Sequence, residues 1–201
     1  MELIDQFIDA AGTYMGVGVN DDEEFVGQLT IEPAVGEAGV SLHFEAETEG
    51  AGELLHEEQM LVGFTRDGEL YLWGLDSSTE RIRKHELRDV EYDDRSTRFL
   101  FGVGRPDNQS AFREEITFDI ADERVSLTYA RANPGEVLEP RSSVDLVPEA
   151  QFDLSDRAEA GAIQYRSFES SPDSELLEDV EQIAERIFGD VDFHLDENSF
   201  W

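Results

Sequence analysis

Val40, Leu42, Phe44 and Ala46 occupy every second position of a run whose other members are Ser41, His43, Glu45 and Glu47. That period of two belongs to a half-buried strand. Similar runs recur with turn signals between them: Gly12 to Val19, Phe25 to Glu32 before Pro33, Leu54 to Thr65, Glu69 to Leu75, Thr79 to Tyr92, Ser96 to Gly104, Phe112 to Ile120, Arg124 to Ala132 and Ser143 to Val147. Arg66-Asp67-Gly68 joins two of them as a hairpin turn, and Ala121-Asp122-Glu123 joins another pair. The pattern predicts about ten strands joined by short turns, with no crossover helix between them, so the sheet is antiparallel. Up-and-down connectivity closed into a barrel leaves no open edge.

Helical spacing occurs only at the two ends. Leu3, Ile4, Phe7, Ile8 and Ala11 share one face of a short N-terminal helix. Near the C-terminus, Ser171-Pro172-Asp173 offers a helix start, Leu176, Leu177, Val180, Ile183, Ala184, Ile187 and Phe188 form an apolar face, and Gly189 supplies a stop. The expected organisation is therefore a mainly β barrel domain over 1–148 and an extension over 149–201. An amphipathic helix at about 174–188 would pack on the barrel.

Charge changes the picture next. The 201 residues carry 48 Asp and Glu against 15 Lys and Arg, a formal net charge of −33, with Lys84 the one lysine. The carboxylates are spread along a chain that is 39% hydrophobic, which separates it from an acidic disordered tail. This composition resembles that of cytoplasmic proteins of extreme halophiles, where molar salt shortens the Debye length to about 3 Å. Nucleic-acid binding is not expected, because phosphate contacts need clustered cations. With no cysteine there is neither disulfide nor thiol chemistry. The start lacks the basic region and apolar run of a secretory signal, and no stretch is long and apolar enough for a membrane helix, so a cytoplasmic protein is expected.

The short helix followed by Gly12-x-Tyr14-x-Gly16-x-Gly18 and a run of antiparallel strands resembles the opening of small calycin-type barrels, of the fatty-acid-binding-like and nitrobindin-like families. Phe64, Leu70, Tyr71, Leu72 and Trp73 around Arg66-Asp67-Gly68 resemble a central hairpin of such barrels. Tyr14 stands where those families carry tryptophan. The resemblance implies a small, mostly apolar ligand held in the barrel. Nitrobindin-like members hold haem through a histidine, whose nearest counterpart here is His194; no surrounding motif matches, and no cofactor is expected.

Several residues are candidates for ligand contact. On the strand from Leu54, His56 and Glu58 share parity with Met60 and Val62, which makes them either lumenal anchors or rim residues reaching solvent. The strand from Thr79 to Tyr92 has charges on both faces: Lys84, Glu86 and Arg88 on one, Arg81, Arg83 and His85 on the other. One set must point inward in a closed barrel, unless the strand is an edge. Lys84, Glu86 and Arg88 are the candidate interior network, with Glu114 a natural partner for Arg88. Aromatic lining would come from Phe99 and Phe101 and from Tyr71 and Trp73, although the latter two face opposite to Leu70 and Leu72.

Asp192, His194 and Asp196 share one side of an extended segment, but a chain this acidic places carboxylates near any histidine, and no metal is expected. No nucleophile elbow, phosphate-binding loop or zinc-protease motif is present, so no catalytic residue is assigned. The reading that follows is a non-catalytic protein binding an apolar or amphipathic small molecule. The competing reading is a filled barrel that contacts a protein partner, or another copy of itself, through its C-terminal helix and Phe193, Phe200 and Trp201. Loss of affinity on Arg88→Ala would mark the first, dependence on Phe200 and Trp201 the second.

Overall fold

Turns of a few residues leave each strand little choice but to pair with its neighbours in sequence, and the chain does so nine times before closing on itself. A computed structural model describes residues 3–21, 23–48, 52–79 and 81–152. Helix α1 (Leu3–Asp9) precedes β1 (Gly12–Asn20), β2 (Glu23–Ala34), β3 (Gly39–Thr48), β4 (Leu54–Phe64), β5 (Leu70–Asp76), β6 (Ile82–Tyr92), β7 (Ser96–Val103), β8 (Arg113–Ala121), β9 (Arg124–Ala132) and β10 (Glu139–Pro148). Every pairing is antiparallel, and β1 also pairs with β10, which makes the sheet a closed up-and-down barrel. Among the described residues no helix is long and apolar enough to cross a membrane.

Alternation sorts the side chains. Leu29, Leu42, Val62, Leu72, Phe118 and Leu146 point inward and are almost wholly buried. The end of the barrel where odd-numbered strands begin is filled by α1. Phe7 is fully buried, its ring 4.7 Å from that of Phe99 and 5.6 Å from that of Phe118. The hydroxyl of Thr97 donates to Gln6 Oε1 at 3.1 Å, and that of Tyr14 donates to the carbonyl of Ala10 at 2.9 Å, tying helix to wall. Tyr14 thus occupies the expected tryptophan position as a buried strut; burial pushes its phenol up.

Two strands run further than their residues suggest. β2 continues through Pro33, which pairs with Val40 at the hairpin end. β10 begins at Glu139 rather than Ser143, because a register shift between Pro140 and Ser142 absorbs the proline. After Pro148 comes a 3-10 turn, Glu149–Gln151. The helix expected over 174–188, the partner candidates Phe193, Phe200 and Trp201, and His194 lie outside the described residues.

Candidate functional site

The other end of the barrel is built differently. Apolar inward positions give way to polar ones in its last turn of residues, and a cavity of about 250 Å³ opens there. Phe25, Phe44, Ala46, Ile116, Leu127 and Val144 form its apolar part; His56, Glu58, Asp76, Arg83, Glu114, Tyr129, Arg131 and Arg141 bring polar groups to it.

Glu114 on β8 is the hub. It takes the inward parity of Ile116, Phe118 and Ile120 and is buried. Its Oε1 accepts a hydrogen bond from His85 Nε2 at 2.6 Å, and its Oε2 accepts from Arg83 Nη1 at 2.5 Å and from the Tyr129 hydroxyl at 2.7 Å. Burial pushes the carboxyl up, but the bonds from His85 and Tyr129 and the charges of His85 and Arg83 outweigh it and hold Glu114 below its usual value. Tyr129 moves the other way: burial, then the Glu114 charge and hydrogen bond, raise its phenol far above the ordinary range. Among the described residues, His85 Nδ1 is buried and has no hydrogen-bond partner.

Arg83 lies between this hub and the rim. Its guanidinium carbon sits 5.3 Å from the centre of the Phe112 ring, and its Nη1 is 3.7 Å from Asp76 Oδ2. Asp76 in turn accepts from the backbone N–H groups of Ser78 and Thr79 and from both hydroxyls, the closing turn of the β5–β6 hairpin. Burial raises the Asp76 carboxyl, while those hydroxyls and the Arg83 charge bring it below its usual value. At the opposite rim, Arg141 Nη1 lies 3.4 Å from Asp21 Oδ1.

The sequence candidates divide. His56 and Glu114 line the cavity. His56 is also a rim residue, with a side chain 34% exposed and Nε2 3.8 Å from Glu58 Oε2. Glu58 fits beside β5 because Gly74 leaves the space: a Cβ there would lie 2.6 Å from Glu58 Oε1.

The interior set on β6 is the reverse of the candidate one. Arg83 and His85 point inward, whereas Lys84, Glu86 and Arg88 are on the outer wall. The Lys84 ammonium caps the Tyr71 ring at 3.4 Å, and Glu86 is exposed. Arg88 is the extra residue of a bulge between Leu87 and Asp89; it binds Glu115 Oε1 at 2.5 Å and the carbonyl of Gly104, not Glu114. Arg88→Ala therefore no longer distinguishes a lumenal binder. Tyr71 and Trp73 also face outward, with ring centres 5.9 Å apart, while Leu70 and Leu72 fill the interior. A hydrogen bond to Glu69, then burial and nearby carboxylates, push the Tyr71 phenol up to about 12. Phe99 and Phe101 face inward but belong to the packed core beneath α1, and the cavity does not reach them.

Arg83 and His85 escape the sequence reading because β6 shows no apolar alternation, whereas Tyr129, on β9, shares the inward parity of Val125 and Leu127 and reads there as an ordinary core aromatic. One signal was present: Leu87 and Val90 are both apolar at odd separation, and both can face inward only if a bulge lies between them. On the outer wall, His43, Glu45 and Glu57 place donor atoms within 4.8 Å of one another, away from the cavity.

No protein-family profile matches the chain, and no curated protein does. Among solved structures the chain is similar to the crystal structure of Rv2717c from M. tuberculosis, with a TM-score of 0.58, 13% identity, and coverage of 73% of this chain and 96% of that one. At such identity the likeness establishes a shared barrel fold and nothing finer.

Proposed function

We propose that this protein is a non-catalytic carrier that holds a small apolar or amphipathic molecule in the open end of its barrel, in a cytoplasm of high salt. The observation that carries this reading is the asymmetry of the lumen. One end is filled by Phe7 and its aromatic neighbours, while the other keeps a cavity of about 250 Å³ beside a buried polar cluster. A barrel that served only as a scaffold would gain from filling that end with Leu or Phe, since buried ionic groups contribute little net stability compared with apolar replacements. Apolar walls with a few fixed polar groups are the usual composition of a ligand site. Catalysis is not favoured by the same cluster, because both Glu114 oxygens and both Asp76 oxygens already accept hydrogen bonds from the protein. The Gly12 to Gly18 resemblance to calycin-type barrels supports the same reading.

Native mass spectrometry with an absorption spectrum, on protein purified in molar salt, tests it. Added mass or a chromophore band is the expected result. A bare polypeptide mass, together with failure to take up any of a panel of small amphiphiles, would overturn the carrier reading.

A further inference from the structure

We infer that the cavity takes a small, neutral heteroaromatic molecule whose edge carries a hydrogen-bond donor beside an acceptor, in chemical terms a ring lactam. The inference rests on the carrier reading and narrows its ligand.

β3 and β8 stand five places apart in a ring of ten strands, so their inner faces oppose each other across the lumen. On the β2–β4 side, the cavity wall is a chain of rings: Phe25 meets Phe44 edge-on at 6.3 Å, and Phe44 meets His56 at 6.4 Å. Such a wall favours a planar aromatic guest, which gains ring-to-ring contact that an aliphatic chain forfeits. Across from it stand Arg83 and Tyr129, both fixed by Glu114. A guanidinium can only donate. The Tyr129 proton is committed to Glu114, so its oxygen is left to accept. The polar wall therefore presents a donor and an acceptor from neighbouring side chains, complementary to an adjacent C=O and N–H on one ring edge.

Charge narrows the class again. A carboxylate guest offers only acceptors and would sit near Glu58, Asp76 and Glu114; an ammonium offers only donors and would sit near Arg83, Arg131 and Arg141. Either would be desolvated beside charges of its own sign. A neutral guest meets neither cost. The volume of about 250 Å³ lies just below the range of roughly 300–1,000 Å³ usual for drug-sized ligands, which fits one or two fused rings.

Isothermal titration calorimetry on the full chain in molar KCl at neutral pH, with four probes, decides the matter. The probes are 2-quinolone, quinoline, 2-naphthoate and octanoate. We expect 2-quinolone to bind at least about tenfold more tightly than quinoline, which has the same rings and lacks the donor, because a buried acceptor left unpaired costs about that much. Tyr129→Phe should bring 2-quinolone down to the affinity of quinoline, while Phe44→Leu should weaken both by a similar factor. Equal binding of 2-quinolone and quinoline, or tighter binding of 2-naphthoate or octanoate, overturns the lactam assignment and leaves the carrier reading standing. No heat from any of the four overturns the lactam assignment, and a bare polypeptide mass in addition overturns the carrier reading.

Discussion

Glu114 shows what one buried carboxylate does at the level where the barrel interior changes from apolar to polar. Its three donors come from two strands, two from β6 and one from β9, so it fixes Arg83, His85 and Tyr129 in one arrangement. Glu114→Ala would leave the partly buried Arg83 guanidinium and the Tyr129 hydroxyl without their acceptor, and an expected loss of about 2–3 kcal/mol follows, somewhat below that of a fully buried pair. Glu114→Gln keeps the shape and an acceptor and should cost less. The pH dependence has a definite sign. Because the folded-state value is depressed, the carboxylate's stabilisation is complete above the unfolded value, roughly 4.3, and is lost as pH falls through the lower folded one. Denaturant unfolding should therefore give a gap between the natural chain and Glu114→Gln that is level above about pH 5 and narrows on further acidification; a gap that widens instead contradicts the assigned shift. Glu114 was legible in the sequence as an inward charge among Ile116, Phe118 and Ile120. Its two β6 partners were not, since the bulge at Arg88 changes the parity of that strand and no turn residue announces it.

At the scale of elements, the hairpin turns and the period of two carried the fold. The strand order and antiparallel pairing follow from them, because a short turn permits only one pairing. What a strand pattern cannot supply is the seam, where the first strand meets the last. Glycine does part of that work. A Cβ on Gly16 would lie 2.0 Å from the backbone carbonyl oxygen of Asp145 on β10, and one on Gly18 would lie 2.6 Å from the carbonyl oxygen of Ser143. At Gly16 the contacts are with backbone alone, so no side chain can swing aside and one strand must shift; at Gly18 the Phe25 ring, 2.4 Å from the added Cβ, crowds the position as well. Gly16→Ala should then destabilise the barrel by about 1–3 kcal/mol, the usual range for overpacking. The loss should fall on the seam, seen as faster amide exchange in β1 and β10 than in β4 and β5. Uniform protection across all strands would show that the seam tolerates the methyl group. Gly16 and Gly18 of the opening motif are thus closure devices, in keeping with the close backbone approach that glycine in a strand signals.

For the whole molecule the governing quantity is a formal charge of −33 on 201 residues. The sheet register adds a local cost, since Glu45 and Glu57 face each other directly on the outer wall, with His43 Nε2 at 3.1 Å from Glu57. Like charges opposed across strands are destabilising, and the sum of many such terms disfavours the compact state at low ionic strength. Added salt should therefore raise the melting temperature. A rise alone does not identify the cause, because excluded salts also strengthen apolar burial in any protein. The two causes differ in shape. Screening is nearly spent once the Debye length falls from about 10 Å at 0.1 M to about 3 Å at 1 M, whereas the exclusion effect keeps growing with concentration. A charge-limited fold predicts a steep rise in melting temperature below about 1 M KCl and a shallower slope above it. A steep first phase common to KCl and choline chloride would place the effect in ionic strength rather than in a bound cation. A straight line from dilute buffer to 3 M would assign the stabilisation to exclusion, and a flat line would mean that the barrel's apolar core carries the charge without help from salt.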